Sequence, residues 1–199
     1  DETLLGATFR RARTLCGADQ TFVVTAADQA ASVAAALPEL RPDNLVVEPA
    51  PRNTAAAVGL GAAAVALPAG SDARFAVLPS DAHIGDEAAF DRTARAALAA
   101  ARTAIGTIGI RPTSPETGYG YLKLGGELSP GVFAVDAFVE KPDAARAVTY
   151  VAQGYLWNAG MFFLSAGRMF EECRRHMPAL GAALDALVAA PDFAEAAAR

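Results

Sequence analysis

TFVVTAADQAASVAAALPELRPDNLVVEPAPRNTAAAVGLGAAAVAL, residues 21–67, holds two short β-branched runs, each followed by a helix-forming stretch. TFVVT (21–25) reads as a buried strand and residues 27–36 as a helix that runs up to Pro38. NLVVE (44–48) reads as a second strand, and residues 54–67 as a helix of small residues stopped by Pro68 and Gly70. Strand and helix alternating at this spacing predict an α/β domain whose sheet is mainly parallel. RFAVLPSD (74–81) continues the pattern as a strand running into a loop, and residues 87–101 form a helix with Asp86 as its N-cap. On the N-terminal side, Leu4, Leu5, Phe9, Ala12 and Leu15 recur at helical spacing, which predicts an amphipathic helix over 3–16 closed by Gly17.

The second half follows a different rule. TIGI (107–110), GYLKL (120–124) and VFAVDAFVE (132–140) are strands separated by turns. A helix at 143–153, the strand MFFLS (161–165) and helices at about 167–176 and 178–189 follow. Strands that succeed one another without crossover helices add an antiparallel portion, so the sheet is mixed. No internal repeat, low-complexity linker or domain boundary is visible, and residues 1–199 read as a single domain.

Composition narrows the function classes. The hydrophobic share of 53% rests largely on alanine, which points to a helix-rich globular chain. A net charge of −5 leaves no basic face to neutralise nucleic-acid phosphates, so an anionic ligand needs a local site. The longest apolar run, Ala55 to Leu67, is shorter than the ~20 residues a bilayer span requires. Cys16 and Cys173 form neither a CxxC pair nor a metal-spaced cluster, and reduced, buried thiols in a cytoplasmic protein are the expectation.

Several motifs have a plain structural reading. GLGAAA (59–64) matches the GxGxxA dinucleotide fingerprint, but its glycines lie inside a helix and not at the turn after a strand, so close helix packing is the better account. His83 and His176 lack partners for a triad or metal site, and Met161, Met169, Phe162, Phe163 and Phe170 read as core. Cys173 shares a helical face with Met169 and Phe170, which favours packing over nucleophilic chemistry.

Other motifs leave a functional reading open beside the structural one. Asp81 ends LPSD (78–81) beyond a strand's carboxyl end, where open α/β sheets bind ligands; an Asx-turn is the alternative. FVEKP (138–142) puts Glu140 and Lys141 at the end of a long strand, as a solvated edge or as a hydroxyl acceptor beside a phosphate-binding cation. In TGYGY (117–121), Gly118 and Gly120 allow close backbone approach to a ligand or form a bulge. LWNAGMF (156–162) places Asn158 among apolar residues just ahead of a strand, which a buried turn asparagine also explains.

Taken together and in order, EPAPRNTA (48–55), LPSD, RPTSPETGYGY (111–121), FVEKPD (138–143) and YLWNAGMF (155–162) resemble the sugar-nucleotide nucleotidyltransferases, specifically the bacterial mannose-1-phosphate guanylyltransferases, or GDP-mannose pyrophosphorylases. The resemblance implies a Rossmann-like three-layer α/β/α domain with a mixed, mainly parallel sheet. It also implies a reaction that joins GTP and mannose 1-phosphate into GDP-mannose and releases pyrophosphate. In it Asp81 would hold Mg²⁺, with Asp81 and Lys141 catalytic. Glu140 and Asn158 would bind the mannose ring, Lys141 its phosphate, and Gly120 and Gly160 would line the sugar pocket. Glu48, Arg52 and Asn53 would surround the nucleobase. Guanine offers adjacent N1–H and N2–H₂ donors, which one carboxylate accepts side by side, and this suits Glu48.

The family's GGxGTR loop would lie upstream of Asp1 and a second metal-binding aspartate downstream of Arg199, and the chain is expected to be the internal part of a longer enzyme. The family places His directly after the metal-binding Asp, whereas here Ala82 follows Asp81 and His83 comes next. Expected partners are GTP and mannose 1-phosphate, with no nucleic acid and no membrane, and a homo-oligomer is left open. A nucleotidyltransferase for another sugar or base, or a non-catalytic module that binds nucleotide sugars, are the alternatives.

Overall fold

The structure is a computed structural model that describes residues 2–50, 53–102 and 104–197. The chain runs α1 (Leu4–Cys16), β1 (Val23–Ala26), α2 (Ala30–Ala36), β2 (Leu45–Glu48), α3 (Asn53–Ala69), β3 (Arg74–Val77) and α4 (Glu87–Ala100). It continues through β4 (Gly106–Ile110), β5 (Tyr121–Ser129), β6 (Val132–Val139), α5 (Ala144–Ala152), β7 (Leu156–Ser165), α6 (Ala166–His176), α7 (Pro178–Val188) and α8 (Phe193–Ala197). Side-chain caps start several helices where the sequence supplies short polar residues. The Thr3 hydroxyl accepts the Gly6 N–H, and Asp86 Oδ1 accepts the Ala89 N–H at 2.8 Å. Asp143 and Ser165 cap α5 and α6 in the same way.

β1 and β2 pair in parallel, with Val23 opposite Leu45 and Ala26 opposite Glu48. A five-stranded sheet has the order β3-β7-β5-β6, with β4 also on β7, and its pairings are antiparallel. The α/β class therefore holds, but among the described residues parallel pairing is confined to β1–β2, a smaller share than the strand–helix alternation predicts. The reason is β7, which arrives late in the chain and pairs antiparallel with β3.

Side chains of β7 alternate between two helical layers, as a strand with both faces covered requires. Leu164 and Phe162 pack with Ala62, Ala63 and Ala66 of α3, Phe170 of α6 and Leu184 of α7. Met161 and Phe163 pack on the other face with Phe90 and Ala94 of α4. The small sheet repeats the arrangement. Val46 and Val24 meet Leu60 and Ala64 of α3, while Val23 and Leu45 meet Phe9 of α1 and Val33 of α2. Helices thus cover both faces, giving three layers.

The small residues of α3 serve this packing. A Cβ at Gly59 would lie 2.9 Å from Leu184 Cδ1, and one at Gly61 would lie 3.4 Å from Val24 Cγ2. The GLGAAA stretch is a packing surface and not a phosphate loop.

Three local expectations need correction. β7 begins at Leu156, so Asn158 lies within a strand and not ahead of one, because Trp157 pairs with Tyr121 on one side and Ile110 on the other. The helix α8 went unread in an alanine-rich tail, and its Ala197 packs against Val46 and Leu60. Cys173 is buried as expected, but Cys16, in the last turn of α1, is exposed. No helix among the described residues is long and apolar enough to cross a membrane.

Candidate active site

One edge of β7 organises the site. β3 covers that edge over residues 162–165 and β5 covers it over 156–157, while β4 lies along the opposite edge. Between them, β7 residues 158–161 face the loop leaving β3 and the loop entering β5. LPSD and TGYGY, far apart in sequence, therefore converge on Asn158 and Gly160. A break of this kind beyond the carboxyl end of a strand is where α/β sheets place ligands.

The contacts at this break are close. The Asn158 N–H donates to the Gly120 carbonyl at 2.8 Å. A Cβ on Gly120 would lie 2.9 Å from Phe138 Cζ and 3.0 Å from Glu140 Oε2, so the absence of a side chain at 120 makes room for the Glu140 carboxylate. Gly160 adopts φ +70°, and a Cβ there would lie 3.6 Å from Pro79 Cγ, which sets it against the loop carrying Asp81. The structure thus brings together Gly120, Glu140, Asn158 and Gly160, with Pro79 two residues ahead of Asp81.

Lys141 lies 3.2 Å from Glu140 as an ion pair, both side chains more than half exposed. Its φ of +42° is unusual for a residue with a side chain. Among the described residues one other non-glycine residue shares a positive φ, Asn53 at +69°. Backbone strain of this sort collects at functional sites, and both residues were candidates on sequence grounds. Asn53 opens α3 and Glu48 ends β2, so both flank the short connection between those elements. Arg52 lies outside the described residues.

Asp81 occupies the turn after β3 and is exposed, with no hydrogen bond or ion pair among the described residues. The same residues contain no cluster of three potential metal ligands. A single free carboxylate fits Mg²⁺, which typically takes one or two protein carboxylates and fills its shell with water and substrate phosphate. An apolar gap of about 720 Å³ separates β1 from β3, with α1 on one side and α3 on the other.

Two residues that support the site escaped the sequence reading. Arg11 of α1 is 5% exposed, and its Nη2 donates to Thr8 Oγ1 at 2.8 Å and to the Ala82 carbonyl at 3.0 Å. Glu87 lies 3.6 Å from its Nη1. Arg11 thereby ties the loop after Asp81 to α1, a role that helical periodicity does not register. Thr107 of β4, the strand paired with β7, has its Oγ1 2.7 Å from Asn158 Oδ1, and TIGI alone signals only a strand. The groups set aside on sequence grounds stay aside. His83 is exposed, His176 lies 3.2 Å from Glu172, and burial pushes the Cys173 thiol up, away from the reactive thiolate.

A family model described as nucleotidyl transferase matches residues 1–198. The xanthan biosynthesis protein XanB of Xanthomonas campestris pv. campestris is 48% identical over 143 residues, 71% of this chain and 30% of that protein. A mannose-1-phosphate guanylyltransferase of Sinorhizobium fredii is 44% identical over 147 residues, 73% of this chain and 29% of that protein. The chain therefore spans about a third of the length of these curated relatives. The crystal structure of mannose-1-phosphate geranyltransferase from Thermus thermophilus superposes with a TM-score of 0.86 at 37% identity, covering 98% of this chain and 57% of that one.

Proposed function

The chain belongs to the nucleotidyl transferase family, and on that premise we propose that it carries the centre of a mannose-1-phosphate guanylyltransferase, which joins GTP and mannose 1-phosphate into GDP-mannose and pyrophosphate. The observation that carries the reading is the convergence of Gly120, Glu140, Asn158 and Gly160 on the gap between β3 and β5. Sequence relatives named for this reaction support the choice of substrates.

Glu140 accepts hydrogen bonds from sugar hydroxyls, Asn158 meets the ring from β7, and Lys141 faces the sugar phosphate. That phosphate is already ionised at neutral pH, so its oxygen attacks the α-phosphorus of GTP in line without a general base. The residues therefore act by holding two anions in register and offsetting their repulsion. Asp81 is the residue that would hold Mg²⁺, which when bound supplies positive charge to the phosphates. Glu48 accepts from guanine N1–H and N2–H₂, while Asn53 and the first amides of α3 address the base's carbonyl side. The exposed free thiol of Cys16 suits a reducing compartment, and the reading places the enzyme in the cytoplasm.

Base choice is the most direct test. In steady-state pyrophosphate release with mannose 1-phosphate, Glu48→Gln shifts preference from GTP toward dTTP, because a carboxamide both donates and accepts. Each guanine donor left unmatched costs about 1–3 kcal/mol, a loss of about fivefold to 150-fold in kcat/KM. An unchanged GTP:dTTP ratio in the variant removes Glu48 from the base site. Equal turnover of several sugar 1-phosphates by the wild type removes mannose from the reading.

A further inference from the structure

Resting on the reading that Asn158 meets the sugar, we infer that Thr107 is a positioning residue that fixes the Asn158 carboxamide as a hydrogen-bond donor and so sets the polarity of the sugar site. Thr107 stands opposite Phe162 in the β4–β7 ladder, and Asn158 stands opposite Gly109. The register shifts between Thr107 and Gly109, and this irregularity lets the Thr107 side chain reach Asn158, which the ladder pairs with a different residue. Thr107 Oγ1 lies 2.7 Å from Asn158 Oδ1 and 2.8 Å from the Met161 carbonyl. The Gly160 N–H approaches the same Oδ1 at 3.3 Å.

A carboxamide oxygen has two lone pairs; the Gly160 N–H meets one, and the Thr107 hydroxyl meets the other when its single proton points to Oδ1. The Asn158 Nδ2 group has no partner among the described residues and is not fully buried. Its two N–H donors are therefore what Asn158 offers a ligand. The hydroxyl carries one proton, for which the Met161 carbonyl competes, so the Gly160 amide holds Oδ1 only weakly whenever the proton turns away. Without Thr107 the carboxamide turns over and presents Oδ1 instead.

That reversal changes what the site reads. Glu140 and Asn158 both flank Gly120, one through its carboxylate and the other through its backbone N–H. With Oδ1 anchored, the pair presents one acceptor and one donor, which complements two hydroxyls of a sugar, one donating and one accepting. With Oδ1 turned outward, both groups accept and the second hydroxyl loses its donor partner.

The test uses the protein as encoded by its gene, with mannose 1-phosphate and GTP varied in turn. Thr107→Val keeps the side chain's shape without its proton, and it raises the sugar-phosphate KM about tenfold, the effect of about one lost hydrogen bond to a polar group, while the GTP KM stays put. Thr107→Ser restores the donor and brings the KM back to within about threefold of wild type. Asn158→Asp leaves the Thr107 contact in place but removes the donors, so it raises the same KM at least as much as Asn158→Ala, whether or not Thr107→Val folds. If Asn158→Ala leaves the sugar-phosphate KM unchanged, Asn158 does not meet the sugar and the underlying reading fails. If Asn158→Ala raises it and Thr107→Val does not, or if Asn158→Asp matches wild type, the donor assignment through Thr107 is overturned.

Discussion

Gly120→Ala separates the site from the fold more cleanly than removing a charged group does. Gly120 does not have a positive φ, so the backbone accepts alanine. The new Cβ would lie 3.0 Å from Glu140 Oε2 and 2.9 Å from Phe138 Cζ, whereas ordinary contact begins near 3.4 Å. The carboxylate must retreat by about 0.4 Å or swing aside. Both neighbours are free to yield, since the Glu140 side chain is 58% exposed and Phe138 is 52% exposed. Stability therefore changes by about 0.5 kcal/mol or less, as for an ordinary surface substitution. The site is less tolerant. Losing a hydrogen bond to a charged acceptor costs about 1.5–3 kcal/mol, a fall of about tenfold to 150-fold in kcat/KM for the sugar phosphate. Pyrophosphate release at saturating GTP and varied mannose 1-phosphate measures it. Gly125→Ala is the control, because its methyl would press on Asp136 of the same hairpin and leave Glu140 alone. A Gly120→Ala enzyme with wild-type kcat/KM for mannose 1-phosphate refutes the placement of Glu140 in the sugar site.

The remaining predictions concern charge. Asp81→Asn and Lys141→Ala each lower kcat by about a hundredfold or more, the scale of removing one group that stabilises developing phosphate charge, and wild-type turnover in either sinks the proposed mechanism. The Arg174 guanidinium beside Asp185 holds its carboxyl below the usual carboxylate range, as Arg95 does for Asp91 and Arg10 for Glu87. A carboxyl lowered on folding stabilises the protein above its unfolded value and loses that contribution as pH falls through its folded value, so the losses begin below about pH 4. Asp185→Asn accordingly narrows the gap between Tm at about pH 7 and Tm at about pH 3, and an unchanged gap shows that the Arg174 pair does not contribute to acid sensitivity.

How far the sequence reaches depends on whether a feature is local. Periodicity and capping are local, and they place α1, the strands TFVVT and NLVVE, and the start of α4 at Asp86 close to where they lie. Sheet pairing is not local. Nothing in RFAVLPSD announces that β3 will lie against a strand that begins only at Leu156, so the alternation of strand and helix overstates the parallel share. Asn158 shows the same limit at one residue. LWNAGMF reads as a loop before a strand because polar and glycine residues interrupt the run, yet pairing on both edges of Trp157 draws the whole segment into β7.

The candidate site divides along the same line. Its candidate residues are legible as polar side chains near strand ends, since Glu48 ends β2, Asp81 follows β3, and Glu140 and Lys141 follow β6, whereas Asn158 lies within β7. Their supports are not. Thr107 acts from a neighbouring strand on Asn158 Oδ1 and Arg11 acts from α1 on the Ala82 carbonyl of a loop, and neither contact leaves a spacing in the chain. The positive φ of Asn53 and Lys141 is the link between the two levels. Neither residue type reveals its strain in sequence, but both lie in motifs selected for their chemistry. These are the two non-glycine positions of positive φ among the described residues; asparagine adopts that region readily in turns whereas lysine seldom does, so the backbone singles out Lys141 and makes Lys141→Ala the sharper of the two charge tests.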